Sequence, residues 1–130
     1  MIYSLTLFKN TYDNQTHRTQ EFESFDEFES LLYSLSKQHG EKGGRNSSPL
    51  ISPASYVSKT TRSNRNVEHW GGWSCLDVDT ELGVTSDELE SYLYEQFGGF
   101  YYICYSTASS TKHHPKFRLV FPLTRIVESK

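Results

Sequence analysis

The pattern of hydrophobic and polar positions along the chain predicts four strands and two helices. Apolar residues alternate with polar ones from Ile2 to Phe8, which is typical of a half-buried strand. Two capping boxes, Ser24 with Glu27 and Thr85 with Glu88, each predict the start of a helix. The first helix is expected to end near His39-Gly40 and the second at Gly98-Gly99. The apolar residues that share a helix face are Phe25, Phe28, Leu31, Leu32 and Leu35 in the first, and Leu89, Tyr92, Leu93 and Phe97 in the second.

The later strands complete the predicted fold. A central strand lies within Val67 to Asp79, and the aromatic run from Phe100 to Tyr105 predicts a strand buried on both faces. Phe117 to Phe121 predicts a strand that returns beside this run. The segment from Leu50 to Val57 is unsuited to a central strand, because it contains Pro53 and follows Pro49. This order of elements predicts an α/β (α+β) sandwich, one domain over residues 1–130, with its helices on one side of a sheet.

Composition supports a folded domain without membrane association. The 130 residues include nine Tyr, eight Phe and two Trp, which argues against intrinsic disorder. No apolar stretch approaches the ~20 residues that a membrane span needs. Cys75 and Cys104 lie in apolar strand-like runs, which predicts buried free thiols in a reducing cytoplasm.

The distribution of charge is more informative than the net charge of −3. Two segments, residues 42–65 and 106–127, carry basic residues and no acid, whereas acids concentrate in residues 21–29 and 77–95. This arrangement predicts contacts with a polyanion beside a carboxylate centre, although solvated basic loops are the alternative. The basic residues of the first segment, expected to contact nucleic acid, are Lys42, Arg45, Lys59, Arg62 and Arg65.

The most informative pair of residues is Asp77 and Asp79. Residues i and i+2 of a strand point to the same face, so the two carboxylates are expected side by side. Hard divalent ions are held by one or two carboxylates together with substrate phosphate oxygens. The pair therefore predicts half of a metal site for phosphoryl transfer, with two solvated carboxylates at a strand end as the alternative.

Several segments in this order resemble the N-terminal catalytic palm of the archaeo-eukaryotic primase superfamily, in the form found in phage and plasmid replication proteins. The most specific are the hydrophobic-Asp-hydrophobic-Asp motif at 76–79 and the Ser/Thr-rich segment 105–111 that leads into 114–123. Weaker matches are the first strand ending at Phe8, the segment Ser52 to Tyr56, Arg62, and Asn66-Val67. The resemblance implies a core like an RNA-recognition motif, with a mixed or antiparallel sheet and two main helices.

The resemblance also implies a function: template-dependent nucleotidyl transfer, the activity of a DNA primase or primase-polymerase, in a bacterial or phage-infected cytoplasm. Asp77 and Asp79 would be the catalytic ligands of Mg²⁺ or Mn²⁺. The implied partners are nucleoside triphosphates, a single-stranded DNA template and a helicase domain or partner. The residues expected to contact the nucleotide and its phosphates are Ser106, Thr107, Ser109, Ser110, His113, His114, Lys116 and Arg118.

The chain departs from the family pattern in two places. Ser110 stands where the family's second motif has a histidine, and only Glu128 follows the last strand as a candidate third metal carboxylate. These departures predict either the N-terminal part of a longer primase or a short relative that binds nucleotide or single-stranded nucleic acid without catalysis. A rolling-circle replication endonuclease is disfavoured, because the adjacent His113 and His114 would face opposite ways on a strand.

Overall fold

The computed structural model describes residues 2–36, 49–107 and 109–125, and this part of the chain has an α+β fold. The strands are β1 (Tyr3–Phe8), β2 (Thr19–Phe22), β3 (Leu50–Ser52), β4 (Ala54–Tyr56), β5 (Val67–Trp70), β6 (Trp73–Val78), β7 (Ile103–Ser106) and β8 (Phe117–Pro122). The helices are α1 (Phe25–Ser36) and α2 (Leu89–Phe97), with a short 3-10 helix at Asn64–Asn66. The chain divides into two compact units, the first Met1–Trp73 with Leu123–Lys130 and the second Ser74–Pro122.

The strands form three small antiparallel sheets, where the sequence predicted one sheet. Their orders are β2-β1-β3, β4-β5 and β6-β8-β7. Pro53 separates β3 from β4, since proline cannot donate a ladder hydrogen bond, and Gly71-Gly72 separates β5 from β6. The expectation of a single sheet was therefore wrong, while the α+β class with two helices in the described residues is confirmed.

The core of the first unit lies between β1 and α1. β1 pairs with β2 on one side and β3 on the other, with Thr6 opposite both Thr19 and Ser52. The Ser24 hydroxyl accepts a hydrogen bond from the Glu27 N–H at 3.3 Å, which is the Ser24 half of the predicted capping box, whereas the Glu27 carboxylate accepts from the Glu23 N–H. The predicted end of α1 at His39-Gly40 lies outside the described residues. The buried apolar residues of this unit are Leu5, Phe8, Phe22, Phe25, Phe28, Leu32, Ala54 and Trp73.

Gly71 allows two backbone segments of the first unit to approach closely. A Cβ at this position would lie 1.9 Å from the Ser4 carbonyl oxygen. The Ser4 N–H donates to the Gly71 carbonyl at 3.0 Å, and the Gly71 N–H donates to the Pro53 carbonyl at 2.6 Å. Only glycine fits there, because any side chain would push the strands apart.

The second unit places β8 between β6 and β7, with α2 on one face of the sheet. Leu93 of α2 packs against Phe117 and Leu119 of β8, and Leu89, Tyr92 and Phe97 join this core, as the sequence predicted. Half of the second capping box forms, because the Glu88 carboxylate accepts hydrogen bonds from the N–H and hydroxyl of Thr85, while the Glu88 N–H donates to the Thr85 carbonyl and not to its hydroxyl. It caps a turn, however, and α2 begins only at Leu89.

The prediction for Phe100 to Tyr105 was wrong in two respects. β7 begins at Ile103, and the first two side chains of the run are exposed, Phe100 at 67% and Tyr101 at 52%, whereas Tyr102 packs against the core. The turn that ends α2 continues into this run, since the Phe100 N–H donates to the Phe97 carbonyl. Both cysteines are free, but Cys75 is only half-buried and Cys104 is exposed, because β7 is an edge strand.

Candidate functional site

The alternation of residues along β6 and β8 places a set of charged side chains on the sheet face opposite α2. Val78 of β6 and Phe117 and Leu119 of β8 point into the core that α2 covers. Asp77 and Arg118 alternate with these residues and therefore lie on the other face. The side-by-side arrangement expected of Asp77 and Asp79 agrees with this geometry, with Asp79 one residue past the end of β6.

Each of the two aspartates has a basic partner on or next to β8. Arg118 Nε lies 3.5 Å from Asp77 Oδ1, and Lys116 Nζ lies 3.4 Å from Asp79 Oδ1. The carboxylates are exposed, at 60% for Asp77 and 73% for Asp79, whereas the basic side chains are more buried. We call these four residues the charged cluster. The structure thus brings together the two predicted metal ligands and two of the predicted phosphate-binding residues.

Tyr105 and Cys75 lie on the same sheet face as Asp77 and Arg118, and both interact with Arg118. Tyr105 is directly opposite Arg118 in the β7-β8 register. Burial raises the pKa of Tyr105, although the Arg118 guanidinium opposes the shift. Burial also raises the pKa of the Cys75 thiol against the effect of Arg118, so both groups are neutral at pH 7. Neither residue was predicted to belong to the site, although the period of two that links Cys75 to Asp77 could have indicated Cys75.

The pKa of Arg118 is itself shifted. Burial works against its charged form, but hydrogen bonding to Tyr105 and the charge of Asp77 outweigh burial and raise its pKa. The guanidinium is therefore a permanent charge, held between a neutral phenol and a carboxylate.

The loop between β7 and β8 is held together by its own hydroxyls. The Ser110 hydroxyl accepts a hydrogen bond from the Lys116 N–H at 2.9 Å, and the Thr107 hydroxyl donates to the Lys116 carbonyl at 3.3 Å. Ser110 therefore fixes the backbone of Lys116. Ser106 and Ser109 are exposed.

The two loop histidines differ in their surroundings. His114 Nε2 lies 3.1 Å from the Asp79 carbonyl oxygen, and the His114 ring is half-buried. His113 is exposed to solvent. Of the predicted pair, His114 is thus the one that reaches the Asp79 end of the charged cluster.

The basic residues expected to contact nucleic acid belong to the first unit. Arg62 is used by that unit's own structure, because its guanidinium lies 4.8 Å from the Phe8 ring centre and donates to the Thr11 carbonyl. Lys59, with a φ of 62°, and Arg65 are exposed. Lys42 and Arg45 lie outside the described residues.

The charged cluster supplies only part of a metal-ligand set. Among residues 2–36, 49–107 and 109–125, no group of three or more His, Cys, Asp or Glu side chains could hold a metal ion. Two exposed carboxylates on one face do fit Mg²⁺ or Mn²⁺ when substrate oxygens complete the coordination. Glu128, the candidate third carboxylate, is not among the residues described. Neither helix of the described chain is long and apolar enough to cross a membrane.

Comparisons with protein-family models, with curated proteins and with solved structures found no match to this chain.

Proposed function

We propose that the chain is a palm-like nucleotidyl-transfer module of the archaeo-eukaryotic primase type, which binds a nucleoside triphosphate and a divalent metal at the charged cluster. One observation carries this proposal: Asp77 and Asp79 lie on one sheet face, within 3.5 Å of the basic side chains of Arg118 and Lys116. Carboxylates for metal and cations for phosphate are the two parts that a phosphoryl-transfer site requires.

The residues of the cluster have separate tasks in this proposal. Asp77 and Asp79 hold Mg²⁺ or Mn²⁺, which when bound neutralises charge on the phosphoryl oxygens and activates the 3′-hydroxyl of the primer. Arg118 contacts phosphate oxygens through its planar fork, and Tyr105 orients it from the opposite strand. His114 and the hydroxyls of Ser106 and Ser109 supply further polar contacts to the nucleotide.

The proposal extends to the partners of the module. Lys59 and Arg65 are exposed and contact a single-stranded DNA template, whereas Arg62 stabilises the first unit. A helicase domain or partner completes the replication function in a bacterial or phage-infected cytoplasm. These assignments depend on the family resemblance and on the positions of the basic residues.

The test is a titration of a fluorescent nucleoside triphosphate with Mg²⁺ or Mn²⁺ into the wild type and into Asp77→Asn/Asp79→Asn. We expect the double variant to lose at least roughly tenfold in metal-dependent affinity, because one or two carboxylates carry the protein's share of the coordination. Asp87→Asn is the matched control, since Asp87 is also an exposed, ion-paired aspartate of the second unit, bound to Lys112 at 3.4 Å. Equal binding by the wild type and the double variant would refute the metal role.

A second candidate function is a binding module without catalysis. Two observations favour it. Both aspartates are already neutralised by ion pairs, and the described residues contain no group of three or more metal-binding side chains. This module would bind single-stranded DNA in a salt-sensitive manner and incorporate no nucleotide with either metal. Primer extension on a template in Mg²⁺ and in Mn²⁺ separates the two functions.

A further inference from the structure

The charged cluster has no net charge. Two carboxylates and two basic side chains form two ion pairs, Asp77 with Arg118 and Asp79 with Lys116. A divalent cation that approaches the carboxylates therefore meets positive side chains within 3.5 Å of the same oxygens. A polyphosphate that approaches the basic side chains meets two carboxylates in the same way.

Either ligand alone leaves half of the cluster without a partner. A bound cation takes the carboxylates and leaves Arg118 and Lys116 unpaired beside a double positive charge. A bound polyphosphate takes the basic side chains and leaves the carboxylates facing a strong anion. When both ligands enter together, every charge of the cluster exchanges one partner for another.

We propose that the cluster binds a divalent cation and a polyphosphate more tightly as one complex than either ligand alone, with Arg118 and Lys116 as the residues that enforce the coupling. This inference rests on the proposed function and specifies its ligand as the metal–polyphosphate complex. The basic side chains pass from carboxylate to phosphate, and the carboxylates pass from the basic side chains to the metal.

The ion pairs have the geometry that such an exchange requires. Their separations of 3.4 and 3.5 Å exceed the ~2.7–2.9 Å of a charge-assisted hydrogen bond, so both pairs are loose. The carboxylates are the exposed partners, which gives a metal ion direct access to them. The basic side chains are the less exposed partners, at 26% for Lys116 and 33% for Arg118, and Tyr105 lies opposite Arg118.

The coupling is measured by calorimetric titration of the full chain with three ligands: Mn²⁺ alone, tripolyphosphate alone, and the preformed equimolar complex. For the wild type we expect the complex to bind at least roughly tenfold more tightly than either Mn²⁺ alone or tripolyphosphate alone. In Lys116→Met/Arg118→Met, Mn²⁺ alone should bind roughly three- to tenfold more tightly than in the wild type, because two repelling charges are gone. The same variant should bind the complex more weakly.

The opposite signs of these two changes separate coupling from a merely structural role. Lys112→Met removes a loosely paired, exposed lysine of the same unit that pairs with Asp87, and should change neither affinity by more than about twofold. If the double variant does not fold, Lys116→Met alone should show the same two signs at smaller size. Lys116→Arg/Arg118→Lys keeps both charges and should keep the preference for the complex.

The outcomes also distinguish this inference from the proposed function. If the wild type binds Mn²⁺ alone as tightly as the complex and Asp77→Asn/Asp79→Asn binds neither, the coupling is refuted while the metal site stands. If binding of the complex is unchanged in that aspartate variant, the proposed function is refuted and the inference falls with it. Unchanged binding of Mn²⁺ alone in Lys116→Met/Arg118→Met would overturn the coupling by itself.

Discussion

Replacement of Gly71 by alanine should destabilise the first unit strongly. The added Cβ would lie 1.9 Å from the Ser4 carbonyl oxygen, and real Cβ atoms essentially never come closer than 3.0 Å to a neighbour, so the backbone must move by at least 3.0 − 1.9 = 1.1 Å. That movement affects three hydrogen bonds: Ser4 N–H to Gly71 O, Gly71 N–H to Pro53 O, and the Trp73 indole N–H to Ser4 O at 2.7 Å. At about 0.5–1.5 kcal/mol each, the loss of all three lowers the free energy of unfolding by about 1.5–4.5 kcal/mol.

The measurement is urea unfolding followed by tryptophan fluorescence. Trp70 and Trp73 are the only tryptophans of the chain, and both belong to the first unit, so the signal reports on that unit. Gly99→Ala is the control, because a Cβ there meets nothing within 4 Å and Gly99 belongs to the second unit; we expect it to leave the unfolding curve of the first unit unchanged. Trp73→Phe should cost less in the Gly71→Ala background than in the wild type, since the same hydrogen bond is already weakened.

A loss below about 1 kcal/mol for Gly71→Ala, or full additivity with Trp73→Phe, would contradict this reasoning. Either result would mean that the strands can separate at Gly71 without disturbing the bonds around Ser4.

Two further predictions concern the same unit. Phe28 is fully buried, with its ring 4.9 Å from that of Trp73. Phe28→Ala should therefore lower the free energy of unfolding by about 3–5 kcal/mol in urea titrations, and Phe28→Leu by less than half of that. Equal losses in the two variants would contradict the packing argument. The backbone N–H groups of Lys9 and Gln15 hold the pKa of Asp13 at about 2, below its ordinary 3.8. Because this pKa is lowered by folding, the stabilisation is complete above pH 3.8 and is lost as the pH falls toward 2. The melting temperature of Asp13→Asn should therefore depend less on pH over that range than the melting temperature of the wild type. An unchanged acid slope in the variant would show that other carboxylates determine it.

The elements that depend on local pattern were predictable from the sequence. β1 follows its alternation from Tyr3 to Phe8, and the hydrogen bond between Ser24 and Glu27 appears at the start of α1 as the capping box predicts. The position of Asp77 and Asp79 on one face likewise needs only the period of a strand. In each case neighbouring residues contain all the information.

The elements that depend on distant contacts were not predictable. Pairing of β1 with β3 places Thr6 opposite Ser52, and the partner of Asp77 is Arg118, 118 − 77 = 41 residues later. A register of this kind is decided by packing, which one sequence does not reveal. The strand prediction for the aromatic run at Phe100 was wrong because a turn after α2 extends into it, and the hydrogen bonds between Thr85 and Glu88 stabilise a turn that precedes the helix.

The balance of the two ion pairs has a kinetic consequence. Alternating positive and negative charges a few ångströms apart produce a field that cancels within about one Debye length, roughly 8 Å at physiological ionic strength. An anionic ligand is therefore not drawn to this sheet face from a distance, and its association rate constant should vary little with added salt. Selection between ligands then occurs after encounter, in how long each one stays bound.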